Sequence, residues 1–326
     1  MPVVNPLDVR DKSLKIYRAA KKFSSWLEQG KKVTTKDLKD TFYKIFNCHD
    51  NEGVWLWKDA YEALEIAQIL YLMRAKNQDA ASQLSNYARI LQSIPTHTKR
   101  TRKQTDLQQF STPITIAYLA YLAAKIARED VVLEPSAGNG MLAAFAQRTT
   151  SDIFLNEIDS QRVATLKLLF PHRRIFQHNA EQIDDRLDRS IRPTVILANP
   201  PFTASLNLGS KSSRAIEKHL VSALQRLEPG GRLVLISQES LSPQSNLWYP
   251  KLVRIQQELA TLKFSAGIPG KAYYKNGSSM NTRITVFDKE PSVRPSEFPQ
   301  IHPITELPSL LKLIEGEVPS RSSSNL

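Results

Sequence analysis

A chain of 326 residues, 41% of them apolar, can bury a large core, and its length suggests one sizeable domain beside a smaller one. One cysteine excludes an internal disulfide framework and a cysteine-based zinc site, six scattered histidines give no metal-ligand spacing, and no stretch approaches the roughly 18 apolar residues of a membrane helix, so a cytoplasmic protein with neither metal nor membrane partner is expected. A net charge of +12 favours a polyanionic partner, nucleic acid first, although general solubility also accounts for it.

In residues 8–29, Val9, Leu14, Tyr17, Ala20, Phe23 and Leu27 recur mostly three to five apart before Gly30, which predicts an amphipathic helix. Thr34 or Thr35 can cap a second helix bearing Leu38, Phe42, Ile45 and Phe46. A third, over about 55–76, contains an apolar run from Ile66 to Met73 and is expected at the centre of a bundle; a fourth covers 80–91. Pro95 opens a polar, basic connector, so residues 1–94 read as a helical domain and 95–106 as a linker. Residues 1–107 carry about 19 Lys and Arg against 12 Asp and Glu. Lys21, Lys22, Lys31, Lys32 and the run from Lys99 to Lys103 are candidates for phosphate contacts. A solvated helical face explains any single one of them, so a role is assigned only to the cluster.

Residues 107–289 read as the larger domain. Thr112 is placed as an N-cap with Pro113 at the first helical position, and the helix is expected to run to about 127. Then Val131 to Leu142 gives a buried strand, a glycine turn and a helix start, with Glu134-Pro135-Ser136-Ala137-Gly138-Asn139-Gly140 at the turn. The spacing is neither the dinucleotide fingerprint nor the phosphate loop, and the turn has no lysine, so a ligand without phosphate fits better. Gly138 and Gly140 would let the backbone approach it, and Glu134 offers a carboxylate to a cationic or amino group. Alone, such a turn is a weak signal. The next strand, 153–156, ends in Glu157, which reads either as an exposed turn acid beside Asp159 or as an acceptor for both hydroxyls of a ribose; the glycine loop favours the ribose. A helix over 159–170 and a strand over 174–177 lead to His178-Asn179-Ala180-Glu181, where an adenine amine could be held.

The apolar run Val195-Ile196-Leu197 then meets Ala198-Asn199-Pro200-Pro201-Phe202. Two prolines fix φ twice and force Asn199 to be extended, which makes a rigid loop at a strand end. The Asn199 side-chain oxygen and the Pro200 main-chain oxygen can both accept from one flat NH2 group, with Phe202 for stacking. By itself the segment is equally a turn that ends a buried strand. A polar segment over 203–213 reads as a lip over the site, followed by a helix to 227, a strand over 232–237, a helix over 247–262 and a last strand over 283–287. Residues 290–326 read as a Pro/Ser-rich tail with one helix over 304–314 and disorder from 320. Alternating strands and helices predict an α/β fold with a mostly parallel sheet, helices on both faces and an N-terminal all-α domain. Glu134, Glu157, Asn179 and Asn199 all fall at strand C-termini, where such sheets bind ligands.

In this order, Phe110-Ser111-Thr112-Pro113, Glu134 to Gly140, Asn156-Glu157-Ile158-Asp159 and Asn199 to Phe202 resemble the motifs of class I S-adenosylmethionine-dependent amino methyltransferases of the N6-adenine type. With Ala180 to Asp185 and Tyr274-Lys275-Asn276-Gly277, the chain is most similar to the methyltransferase module of bacterial strawberry notch-type proteins. The resemblance implies a Rossmann-like, seven-stranded methyltransferase fold with S-adenosylmethionine as cofactor. Thr112 and Glu134 would hold the methionine end, the loop with Ser136, Ala137, Gly138 and Gly140 would lie under the cofactor, and Glu157, with Ile158 beside it, would bind the ribose. Asn179 stands where the family usually has Asp. Asn199 and Pro200, followed by Pro201, would orient the target amine, Phe202 would stack on it, and Tyr273 or Tyr274 would close the other side. The implied substrate is adenine N6 in DNA, with an RNA base or a glutamine amide as alternatives, a helicase as partner, and a non-catalytic nucleic-acid-binding module as the rival class. With no recognition domain after the sheet, any sequence reading falls to the N-terminal helices, the 203–213 segment or a partner.

Overall fold

The computed structural model describes residues 6–50, 52–98, 111–201 and 209–321. The first helix, α1 (Pro6–Glu28), buries Ile16, Ala20, Phe23 and Leu27, while Leu14 and Tyr17 are only half-buried, so its inner stripe is rotated slightly from the expected one. The next, α2 (Thr35–Phe46), starts at Thr34, whose hydroxyl accepts from Asp37 N while the Asp37 carboxylate accepts from Thr34 N, a reciprocal cap that holds the entry to the helix. Helices α3 (Trp57–Arg74) and α4 (Ala80–Gln92) complete the N-terminal group.

Helix α3 is the centre of this group, as its apolar run predicts, and it has no solvent face between Asp59 and Leu70. Burial on all sides requires its polar residues to be paired. Asp59, Glu62, Glu65 and Gln68 recur three apart and are all buried. Lys12 meets Asp59 at 2.7 Å, and Arg162 Nε donates to Glu62 at 3.1 Å. Gln161 Nε2 donates to both acids, at 3.1 and 2.8 Å. These partners come from α1 and from the larger domain. The helices of 1–94 therefore do not stand apart: α1, α3 and α4 pack on the helices that cover the sheet, and the buried apolar residues form one continuous core.

Strands β1 (Val132–Glu134), β2 (Ile153–Asn156), β3 (Arg174–Phe176), β4 (Val195–Ala198), β5 (Arg232–Gln238), β6 (Thr261–Ile268), β7 (Thr282–Asp288) and β8 (Ile301–Ile304) form one sheet in the order β3-β2-β1-β4-β5-β7-β6-β8. Only β7 is antiparallel to its neighbours, which makes the sheet mostly parallel as expected. Among the described residues the sheet has eight strands where seven were expected. The expected helix over 247–262 is also shorter, α10 (Tyr249–Glu258), because Leu262 belongs to β6. Before these come α5 (Ile114–Ala124), α6 (Met141–Ala146), α7 (Ser160–Leu169), α8 (Ile183–Arg186) and α9 (Gly209–Arg226).

The residues expected as a tail are built in. Strand β8 pairs with β6, and α11 (Leu307–Glu317) buries Leu310, Leu311 and Ile314. Arg232, fully buried, holds Asp288 through two hydrogen bonds at 2.7 and 2.9 Å and donates to Pro319 O at 2.9 Å, while Arg321 pairs with Asp130. No helix among the described residues is long and apolar enough to cross a membrane.

Candidate active site

Strand order reverses between β1 and β4, so the loops after these strands diverge and leave a crevice at their C-terminal ends. A cleft of about 420 Å³ lies there. Its lining includes every expected cofactor residue, namely Thr112, Glu134, Ser136, Ala137, Gly138, Glu157, Ile158 and Asn179, except Gly140, and also Asn199, Pro200 and Pro201. Phe202, Phe110, most of the 203–213 lip and the Lys99 to Lys103 run lie outside the described residues.

Gly138 and Gly140 both have left-handed backbones, φ 56° and 90°. At Gly138 there is open space where a side chain would stand; at Gly140 a Cβ would sit 2.5 Å from the Phe170 ring. One glycine thus leaves the loop bare toward the cleft, and the other lets helix α6 approach α7. Asn156, fully buried, fixes the two neighbouring loops, donating to Pro135 O at 2.8 Å and His178 O at 3.0 Å and accepting from His178 N at 2.9 Å.

Glu157 accepts from Gly138 N and from Asp159 N, each at 2.8 Å, one on each carboxylate oxygen. It is not an exposed turn acid but 5% exposed, and its remaining lone pairs are left for a ligand. Glu134 is 2% exposed and takes one bond, from Ala143 N to Oε2 at 2.8 Å. Burial pushes its carboxyl well above the ordinary value, and the neighbouring charges of Glu157 and Glu65 push the same way. Asn179 is exposed; its Oδ1 accepts from Glu181 N at 3.0 Å and caps a short 3₁₀ turn, so one acceptor lone pair remains. Ile158 is an apolar side chain 59% exposed at the cleft.

Thr112 does not cap helix α5, which starts one residue later than expected with Pro113 at the cap position. Its hydroxyl oxygen instead accepts from Asn199 Nδ2 at 2.7 Å. That bond leaves Asn199 Oδ1 buried and without a hydrogen-bond partner among the described residues. Tyr273 is 1% exposed in the core and Tyr274 points to solvent, and neither lines the cleft, so the expected second stacking residue is not supplied by this pair.

The lining also includes Glu65, Ser111, Arg162 and His219, to which the sequence reading gives no role. Burial lowers the His219 pKa from its ordinary value, with Glu181 opposing the shift. Glu65 comes from α3, and its Oε2 accepts from Ser111 Oγ at 2.6 Å and from Asn139 Nδ2 at 2.7 Å. The signal for it was in the sequence: acids at 59, 62 and 65 interrupt an otherwise apolar helix at a spacing that puts them on one side. Of the basic candidates, Lys22 and Lys31 lie over the Trp26 ring at 4.9 and 3.6 Å and Lys21 over Tyr17 at 5.1 Å, all on α1 and the turn after it, at a distance in sequence from every cleft residue.

Residues 115–263 match the sequence profile of the methyltransferase small domain family. No curated protein sequence matches the chain. The structure is similar to that of the type I restriction-modification system methyltransferase subunit from Streptococcus thermophilus, with 14% identity, TM-score 0.52, 86% of this chain covered and 69% of that one. It is also similar to a protein from Listeria monocytogenes described as a class I S-adenosylmethionine-dependent methyltransferase, at 12% identity and TM-score 0.51, over 97% and 100% of the two chains. TrmN from Thermus thermophilus aligns at 20% identity and TM-score 0.42 over 58% of this chain, which spans about half, 52%, of TrmN. The fold is that of class I methyltransferases.

Proposed function

We propose that the chain is an S-adenosylmethionine-dependent methyltransferase acting on an exocyclic amine, adenine N6 in DNA before other substrates. The observation that carries this reading is the Asn199 side chain: an amide oxygen, buried, without a partner among the described residues and fixed by Thr112, in the same cleft as the buried carboxylates of Glu65, Glu134 and Glu157. A buried acceptor without a donor costs about 1–3 kcal/mol, and a substrate N–H removes that cost.

The cleft suits the proposed cofactor. Glu134 leaves Oε1 without a hydrogen bond among the described residues, ready for an ammonium group at the methionine end. Glu157 has lone pairs for the ribose hydroxyls, Ile158 an apolar surface for the adenine, and Asn179 an acceptor for its amine. When bound, the cofactor supplies a methyl group on a sulfonium sulfur, a strong electrophile. The chain's own residues supply direction. Asn199 Oδ1 and Pro200 O together accept both hydrogens of the target NH2, which draws the nitrogen toward tetrahedral geometry and aims a lone pair that is otherwise delocalised into the base. No base is needed before transfer; the proton leaves afterwards. Phe202, as the resemblance implies, stacks on a base flipped out of its helix. The proposed partner is nucleic acid, with the basic N-terminal helices as the contact surface, and a helicase or another protein as a further partner.

The experiment is transfer of a labelled methyl group to separate pools of DNA, RNA and protein. Label on DNA adenine supports the full reading; label only on RNA or protein keeps the chemistry and replaces the substrate.

A further inference from the structure

Helix α3 lies outside the matched family segment, yet it delivers a carboxylate into the cleft. The Glu65 side chain is nine-tenths buried or more, and both of its hydrogen bonds, from Ser111 and Asn139, fall on Oε2. Oε1 therefore has no partner among the described residues, and Glu65 lines the cavity. Ser111 and Thr112 are consecutive, and each fixes one group of the site: Ser111 holds Glu65, and Thr112 holds Asn199. Glu65 Oε1 and Asn199 Oδ1, each without a partner among the described residues, are thus set by one short segment ahead of α5.

The electrostatics select the ligand. Glu65, Glu134 and Glu157 line the same cleft, and Arg162, the one Lys or Arg among its described lining residues, is hydrogen-bonded to Glu62. Burial raises the pKa of Glu65, with Arg162 and the two hydrogen bonds opposing the rise. An uncompensated carboxylate in such a place is costly, and a cation in the cleft offsets that cost.

We propose that Glu65 is a cofactor-binding residue: its free Oε1 receives the ammonium group at the methionine end, so that the N-terminal helices complete the cofactor site instead of serving only as a nucleic-acid platform. This rests on the S-adenosylmethionine reading above. Glu134 alone, already bonded to Ala143 N, leaves one oxygen for an ammonium with three N–H donors; Glu65 supplies a second acceptor.

The test is calorimetric binding of two probes to the full chain, S-adenosylhomocysteine, which carries the amino-acid end, and 5′-methylthioadenosine, which lacks it. Glu65→Gln keeps the acceptor for Ser111 and Asn139 and removes the charge. It is expected to weaken S-adenosylhomocysteine about 10- to 100-fold and to leave 5′-methylthioadenosine within about twofold. Glu65→Asp, which keeps the charge on a shorter arm, is expected to fall between the wild type and Glu65→Gln for the first probe. If neither variant separates the two probes, the assignment to Glu65 is wrong while the cofactor reading stands. If the wild-type protein binds neither probe, the cofactor reading itself is overturned, and the assignment falls with it.

Discussion

Asn199 Nδ2 donates to Thr112 Oγ1 at 2.7 Å, and this bond sets the orientation of the Asn199 amide, leaving Oδ1 without a hydrogen-bond partner among the described residues. An asparagine free to turn would also present its NH2 group, which repels an incoming amine hydrogen. Thr112 comes from the segment before α5 and Asn199 from the end of β4, so the orientation of the acceptor depends on how α5 packs against the sheet.

Replacing Thr112 with valine removes the acceptor and keeps the shape. The loss of one orienting hydrogen bond of about 1–1.5 kcal/mol is expected to lower kcat by about tenfold, with the cofactor Kd changed less. Steady-state kinetics with parallel calorimetry separates the two quantities. A raised Kd with kcat intact would mean that Thr112 contacts the cofactor, the role its motif implies, and not Asn199.

The glycine loop makes a prediction about stability. Gly140→Ala places a methyl group 2.5 Å from the Phe170 ring at φ 90°, and is expected to cost about 1–3 kcal/mol. Gly138→Ala meets open space and bears only the left-handed strain, about 1–2 kcal/mol. Denaturant unfolding of the two variants should rank Gly140→Ala as the less stable; the reverse order would mean that the loop relaxes around Phe170.

How much of this was legible beforehand differs by element. The motif residues after β1 and β4 announce themselves because a chain turn at a strand end needs glycine or proline, Glu157 after β2 is legible only beside the glycine loop, and their convergence in one cleft follows from strand order. Strand β8 was hidden because Pro303 interrupts a run of four residues, a mark of an edge strand, which is the place it occupies. The end of α10 was misplaced because Leu259 and Leu262 continue a helical period that pairing with β7 overrides. Glu65 was legible only in part: the acids at 59, 62 and 65 mark a polar side on an apolar helix, but what that side meets depends on α3 packing against the larger domain, of which a polar connector between the two halves gives no hint.

The built-in C-terminal segment can be checked directly. Asp288→Ala strips the fully buried Arg232 of its partner and is expected to destabilise the protein by about 3–5 kcal/mol. Removal of residues 301–326 takes away the buried Leu310, Leu311 and Ile314, uncovers the core they pack on and the edge of β6, and should also lower the melting temperature. A truncated chain as stable as the whole would restore the reading of this segment as a tail.

The acids of the cleft predict a pH dependence. Burial raises Glu134 well above its ordinary 4.5 and raises Glu65 as well. A carboxyl raised in the folded state favours folding below the ordinary value and loses that contribution as pH climbs through the raised value. A cationic ligand reverses the preference, because it binds the ionised form. Cofactor affinity is therefore expected to increase with pH above about 4.5 until the raised values are passed, with protons released on binding. Calorimetry in buffers of different ionisation enthalpy measures that release; proton uptake, or none across this range, would mean that the two acids do not meet a cation.

The central claim is that Asn199 holds a substrate amine for methylation, and the most direct measurement is transfer of labelled methyl from S-adenosylmethionine to DNA by the wild-type protein and by Asn199→Ala, with the product read as N6-methyladenine. The account predicts N6-methyladenine with the wild type and a loss of at least about 100-fold with Asn199→Ala, while S-adenosylhomocysteine affinity is nearly unchanged. Undiminished methylation by Asn199→Ala would contradict it.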